Sequence, residues 1–423
     1  MDKGIKSWRE ARDKASNLDS QDPLAGFCDR FVIDDPDLIY MDGNSLGRLP
    51  VATRQRLQQV IDHEWGHRLI RGWNEGWFTL NQEIGAKIAH LIGANSDEVI
   101  VADSTSINLF KLAAAAMQAR PDRRKIITDD LNFPSDVYIF QGVAGPENVE
   151  IVPSEDGIHG PVESLEAALD GDTALLSLSH VVFKSGYIYD IARLTAAAHE
   201  AGALALWDLS HSVGSIPINL NGWGADLAVG CTYKYLNAGP GAPAFMVVRR
   251  ELQERLHNPI SGWFAQKNQF GLDLDFDKAA GMSGFLTGTP PVIAMAAVEM
   301  GVDITAEAGM EAIRAKSLLQ TALLIEMVEN LLEGHGFRLN SPPDAQHRGS
   351  HVALAHDEAW RINRALIEKM RVITDFRRPD SIRFGIAPLY TSFMDVYVAM
   401  ERLNQVVTQR VFAQFEREMP AVT

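Results

Sequence analysis

Lys234 stands between two tyrosines in "LAVGCTYKYLNAGPGAPAFMVV" (residues 227–248), at the end of an apolar run and just before a glycine-proline turn. Flanks of that kind hold an amine near buried surface, which suits imine chemistry with a carbonyl. Asp208 in "LALWDLSHS" closes another apolar run, with His211 three residues further on. "VIVADSTSINLF" reads as strand, Ser/Thr-rich turn and helix, so Thr105 and Ser106 offer hydroxyls and free backbone N–H groups to an anion. An amine and a carboxylate converging beside an anion site suggest pyridoxal 5'-phosphate, whose aldehyde needs a lysine and whose ring nitrogen needs an acid partner. Singly, each signal is weak: a lone lysine is far more often a surface residue, and a Ser/Thr turn before a helix is ordinarily an N-cap.

Such residues converge only if the surrounding elements bring them to one rim. The middle of the chain alternates short apolar runs ("EVIVAD", "KIITDD", "VEIVPS", "TALLSLSHV", "LALWDLSH", "DLAVGCTY", "APAFMVVR") with helical segments such as "STSINLFKLAAAAMQA" and "LTAAAHEAGA". Near-continuous apolar strands separated by helices predict an α/β domain over residues 51–290, a mainly parallel sheet covered by helices on both faces. In such sheets ligands gather at the carboxyl ends of the strands. After "TGTPPVIAMAAVEMG" a long helical stretch, "MEAIRAKSLLQTALLIEMVENLLEG", precedes the isolated strand candidates "SHVALAH" and "SIRFGIAP". This predicts a smaller α+β C-terminal domain, 291–423, with an N-terminal segment, 1–50, contributing to it and to the site.

Composition narrows the function classes. Of 423 residues, 46% are apolar and 22% charged, as in a globular protein, and no run approaches the ~18 apolar residues of a spanning helix. A formal charge of −16 has the wrong sign for holding phosphate backbones or anionic membranes, so neither is an expected partner. Two cysteines, Cys28 and Cys231, form no disulfide framework, and the polar N-terminus lacks the apolar stretch of an export signal. The cytoplasm is the expected location. "HEWGH", His63 to His67, fits a two-histidine zinc pattern, but Ile70 and Trp73 stand where the extended form needs glycine and histidine, so a half-exposed amphipathic helix is the expectation there. "GPGAPA" lacks the third glycine of a dinucleotide fingerprint, and the Leu/Met-rich stretch 310–333 reads as packed helix.

The motifs "YMDGNSLGRLP", "DSTSINLFK", "NFPSDVY", "WDLSHSVG", "GCTYKYLNAGPG", "SGWF", "RGSHVAL" and "IRFGIAPLYTSF" resemble, in order from about residue 40 to 400, those of bacterial kynureninase. The resemblance implies a homodimeric fold-type-I pyridoxal phosphate enzyme acting on a small amino-acid substrate. It would hydrolyse the Cβ–Cγ bond of L-kynurenine, or of 3-hydroxykynurenine, to an anthranilate and L-alanine. By position, Lys234 would carry the cofactor's aldehyde, and Asp208 would pair with the ring nitrogen with Asp136 as a second carboxylate nearby. Phe133 would stack on the ring, while Thr105, Ser106 and Tyr233 would hold the phosphate, Tyr233 being also a candidate for proton transfer. Ser179 and His211 would line the pocket, and Trp263 and Thr289 would reach the neighbouring subunit's phosphate. Arg383 would receive the substrate's α-carboxylate, with Asn44, Ser45 and Trp73 around the substrate. The chain departs from the resemblance after "SGWF", where Ala265 and Gln266 replace a common Gly-His. Alternative readings are a β-lyase, desulfurase-like enzyme or aminotransferase with the same cofactor, and a non-catalytic binding protein of this fold.

Overall fold

In a computed structural model, which describes residues 4–418, seven strands form the central sheet. Their order is Val99–Val101, Phe245–Val248, Leu227–Gly230, Leu204–Asp208, Thr173–Ser179, Lys125–Asp129, Val149–Val152. Phe245–Val248 runs antiparallel to both neighbours, and the other six share one direction. The predicted mainly parallel sheet is therefore present, with one reversed strand that its apolar run does not distinguish from the rest.

Burial explains the continuous apolar runs. Along Leu204–Asp208 and Leu227–Gly230 successive residues alternate between two cores, one on each face. Ala205, Trp207 and Ala228 join the core that holds Ile84 and Met295, while Leu206, Leu227 and Val229 join the one that holds Leu112 and Phe264. Side chains in a strand point alternately to opposite faces, so a strand covered on both sides carries no polar alternation. The helix Thr105–Gln118 starts at the rim of this sheet, its N-cap Ser104 Oγ accepting the Ile107 N–H at 3.4 Å.

A second sheet has four antiparallel strands in the order Asp375–Arg377, Ser381–Gly385, His351–Ala355, Arg338–Leu339. Helices Met310–Leu331, Ala359–Met370 and Phe393–Thr408 contribute Leu324, Leu366 and Met400 to its core, joined by Ala11, Ile39 and Met41 from near the N-terminus. The helix Val292–Ala308 packs Met295, Val298 and Val302 into the core of the large sheet.

The segment from Ile39 to Gly47 runs between the two sheets. Ile39–Tyr40 pairs with Val372–Ile373, Asp42 bridges Gly385, and the Gly47 N–H donates to the Tyr233 carbonyl at 2.8 Å. A Cβ on Gly47 would lie 2.3 Å from the Lys234 carbonyl oxygen, so only glycine allows this approach. "HEWGH" lies on a π-helix, Val60–Arg68, in place of the expected ordinary amphipathic helix.

Candidate active site

Three neighbouring strands deliver polar groups to one rim. Thr173–Ser179 and Leu204–Asp208 end in register, Ser179 opposite Asp208, and the loop after Leu227–Gly230 carries Tyr233 and Lys234 back toward them. Lys234 Nζ lies 3.3 Å from His211 Nε2 and about 6 Å from the ring centres of Phe133 (6.0 Å) and Tyr233 (5.9 Å). Asp208 is buried, and its Oδ1 accepts the Ser210 N–H at 2.8 Å. Burial pushes the Asp208 carboxyl above its ordinary range, and the positive charge of Lys234 acts against that shift. Asp136, in the first turn of Pro134–Ala144, is raised further by burial and by the charge of Asp208. Its Oδ2 is buried and has no hydrogen-bond partner among the described residues.

His211 is held well below the usual histidine range by burial and by the nearby charges of Lys234 and Arg383, so its ring is neutral. A neutral Nε2 facing an ammonium accepts the hydrogen bond and keeps the amine pointed along the rim. Ser179 Oγ donates to Asn132 Oδ1 at 2.6 Å, and the same oxygen accepts the Phe133 N–H at 2.9 Å, fixing the start of the loop that presents Phe133. Phe133 keeps 40% of its surface exposed and packs edge-on against Phe183 at 5.1 Å.

Phe183 connects this group to a second one. Its carbonyl accepts a short hydrogen bond from Arg383 Nη1, while Arg383 Nε donates to Asp375 Oδ1 at 2.8 Å and Nη2 to Asp375 Oδ2. Ser45 Oγ lies 3.1 Å from Asp375 Oδ2 and 3.2 Å from Arg383 Nη2. Arg377 also pairs with Asp375, at 2.7 Å. Burial works against the Asp375 charge, but the bonds from Arg383 hold its carboxyl below the ordinary range. Asp42 is pushed up to about 6 by burial and by the charge of Asp375. Asn44 is fully buried beside Gly385, and neither side-chain polar atom has a partner among the described residues.

Lys234, Asp208, Asp136, Phe133, His211, Ser179 and Tyr233 thus stand together, with Asn44, Ser45 and Arg383 adjoining. Thr105 and Ser106 are half-buried at the start of their helix, where the first N–H groups have no intrahelical acceptor. The turn before them is fixed by Asp103, at φ 47°, whose carboxylate pairs with the buried Lys111 and accepts Thr287 Oγ1 at 3.0 Å. Trp73 and Thr289 line a cavity together with Gly47 and Asn237, whose N–H groups bond the Tyr233 and Lys234 carbonyls. Trp73 packs on Trp77, Phe78 and Phe264, whereas Trp263 and Thr289 are exposed. Ala265 is buried and Gln266 binds the Asp275 carbonyl through Nε2 at 3.0 Å.

Sequence reasoning did not single out Asp375, Asp42, Arg377 or His351. For Asp42 and His351 the signal was present, as the aspartate of "YMDGN" and the histidine of "RGSHVAL", while Asp375 and Arg377 lie outside every motif singled out above. Cys231 is buried with Sγ 3.8 Å from the Ser210 carbonyl, and Cys28 is half-buried against the Tyr390 carbonyl at 3.7 Å. His63 and His67 stack at 5.5 Å, while Glu64 between them binds Arg56 and Trp77. Among the described residues no group of three His, Cys, Asp or Glu could hold a metal ion, and no helix is long and apolar enough to cross a membrane.

The fold resembles that of a cysteine desulfurase from Thermococcus onnurineus NA1, with a TM-score of 0.77 over 93% of this chain and 98% of that one at 16% identity. A C-DES mutant with glycine covalently linked to its PLP cofactor gives 0.75 at 16% identity, covering 90% of this chain and 97% of that one. Identities so low speak for the fold alone. Residues 313–403 match the model of the kynureninase C-terminal domain. A kynureninase of Pseudomonas fluorescens is 44% identical over 94% of this chain and 95% of its own, and one of Burkholderia mallei 44% over 94% and 96%. An identity of that size over nearly the whole length of both chains shows that the chain belongs to the kynureninase family.

Proposed function

We propose that this chain hydrolyses the Cβ–Cγ bond of L-kynurenine, giving anthranilate and L-alanine, with pyridoxal 5'-phosphate as cofactor. The observation that carries the reading is the 44% identity to kynureninases over 94% of the chain. The donor set fits the cofactor: one amine on a buried rim, a carboxylate charge-coupled to it, an unpartnered buried carboxylate oxygen on Asp136, and a helix N-terminus at Thr105. Lys234 would hold the aldehyde, Asp208 the ring nitrogen, Phe133 a ring face, and Thr105, Ser106 and Tyr233 the phosphate. When bound, the cofactor supplies an electron sink for the bonds broken at Cα and Cβ.

The chain's own groups then have defined tasks. Asp208 would keep a negative charge for the cofactor's ring nitrogen, because pairing with a cation offsets the burial that otherwise favours its neutral form. Lys234 takes the proton from substrate Cα and returns it later, with His211 orienting the amine through Nε2. Arg383 receives the α-carboxylate, through a guanidinium that within the chain already meets Asp375, Ser45 and the Phe183 carbonyl. Tyr233, next to the lysine, is the further candidate for proton transfer.

Trp263 and Thr289 act on a second copy in this reading, which makes the working unit a homodimer. Thr289 stands at an apolar groove of about 880 Å³ whose walls include Leu49, Trp65, Trp77 and Ile293, surface that a second copy would cover. The same reading keeps the division into 1–50, 51–290 and 291–423, and a cytoplasmic location. A desulfurase reading is disfavoured because Cys231 is buried and Cys28 half-buried, neither on a free loop.

Incubation with L-kynurenine, following anthranilate fluorescence and alanine, tests the reaction, and 3-hydroxykynurenine run in parallel ranks the substrates. Borohydride treatment of the cofactor-loaded protein is expected to fix a pyridoxyl label on Lys234, seen by peptide mass, and Lys234→Ala is expected to take no label and make no anthranilate. Labelling elsewhere, or product from Lys234→Ala, refutes the assignment.

A further inference from the structure

His351 and Asn44 both stand at Gly385, and none of their four side-chain polar atoms has a hydrogen-bond partner among the described residues. Both residues are fully buried. In the antiparallel register His351 lies opposite Gly385 and Ala353 opposite Arg383. Directly opposed and next-but-one residues share a face, so the imidazole and the Arg383 guanidinium project on the same side of the sheet as diagonal neighbours. Gly385 puts no side chain opposite the imidazole. Asn44 fills that place instead, its Oδ1 1.7 Å from where a Cβ on Gly385 would stand.

The other sides of the imidazole are also defined. Its Nε2 lies 3.3 Å from the Cβ position of Gly186, and its ring centre is 5.9 Å from that of His211, which faces Lys234. Burial, with the charge of Arg383, pushes His351 down to about 3, so the ring is neutral and carries one N–H donor. Buried polar groups in native proteins are paired with protein, water or a bound molecule, because leaving them bare is costly. Two of the four are donors, the Asn44 amide nitrogen and the one imidazole N–H, and beside the arginine and one histidine away from the lysine they call for an acceptor from outside the chain.

We propose that His351 is a substrate-binding residue: its imidazole N–H, with the Asn44 amide, hydrogen-bonds the carboxylate of the amino acid that Arg383 receives. The inference rests on the role of Arg383 given under the proposed function.

The test titrates cofactor-loaded wild type, His351→Phe and His351→Gln with L-alanine, which carries the same carboxylate and needs no bond cleavage, followed by cofactor absorbance. KM and kcat for L-kynurenine are measured on the same proteins. His351→Phe is expected to weaken alanine binding and raise KM about tenfold or more, with kcat within about threefold, and His351→Gln to recover most of the loss. Wild-type affinity in His351→Phe overturns the proposal, leaving water as the occupant, and equal losses in both variants overturn it by making the ring shape the cause. Melting of the cofactor-free chains is an independent readout. Phe removes polar atoms that have no internal partner, so its melting temperature should stay at or above wild type, and a fall of more than about 5 °C overturns the premise. A wild type that binds alanine and leaves kynurenine intact refutes the proposed function, while the alanine comparison still decides the fate of His351.

Discussion

Asp375 and Arg383 lie opposite each other in antiparallel register, and the carboxylate accepts from both Nε, at 2.8 Å, and Nη2 of the guanidinium. Arg383 is 1% exposed, so its charge has little water to fall back on. Asp375→Asn leaves that charge without its main partner and is expected to cost about 3–5 kcal/mol. Urea unfolding of the cofactor-free chain measures it, and a loss below about 1 kcal/mol would mean that Phe183, Ser45 and water already satisfy the guanidinium. Arg383→Ala is expected to keep the cofactor's colour while kcat/KM falls by about 100-fold or more, since it removes substrate orientation and leaves Lys234 and Asp208 in place.

Asp42 gives a pH dependence of stability with a definite sign. Its folded-state carboxyl titrates at about 6, raised by burial and by Asp375, whereas the unfolded group titrates near the ordinary value of about 3.9. The folded chain therefore binds the proton more tightly, and stability falls as pH rises from about 4 through 6, by on the order of 3 kcal/mol in all. Asp42→Asn should lack that slope, matching the parent near pH 4 and exceeding it near pH 8. Parallel denaturation profiles for the two proteins would contradict this assignment.

Gly385 is where the N-terminal segment docks on the second sheet. Because a methyl group there would stand 1.7 Å from Asn44 Oδ1, Gly385→Ala must displace Asn44 and the segment that carries Ser45. The expected result is a stability loss of about 1–3 kcal/mol together with a raised KM, since both candidate substrate residues shift. Unchanged KM in a folded Gly385→Ala protein would show that Asn44 and Ser45 do not touch substrate.

Much of the fold was legible before the structure. Apolar runs bounded by helix-like segments located the seven strands of the large sheet, because all but the edge strand Val149–Val152 are buried on both faces and so apolar throughout, as Leu206 and Trp207 show by entering different cores. The direction of Phe245–Val248 was not legible, since pairing sense is decided by how the connection from Gly230 folds back, not by the residues that are buried. "HEWGH" was legible as helical, and its π geometry was not.

Of the site, the chain alone determined which groups stand at strand ends: Asp208 by closing an apolar run, Lys234 by following one, Thr105 and Ser106 by opening a helix. Local sequence suffices there because a strand end and a helix start are local events. Only the tertiary structure decided that Asn44 fills the space beside Gly385, that Asp375 pairs with Arg383, and that His351 faces the same space as the arginine. These contacts join segments far apart in the chain, and they are set by strand register and by the docking of Ile39–Gly47 between two sheets, neither of which any short stretch of residues encodes.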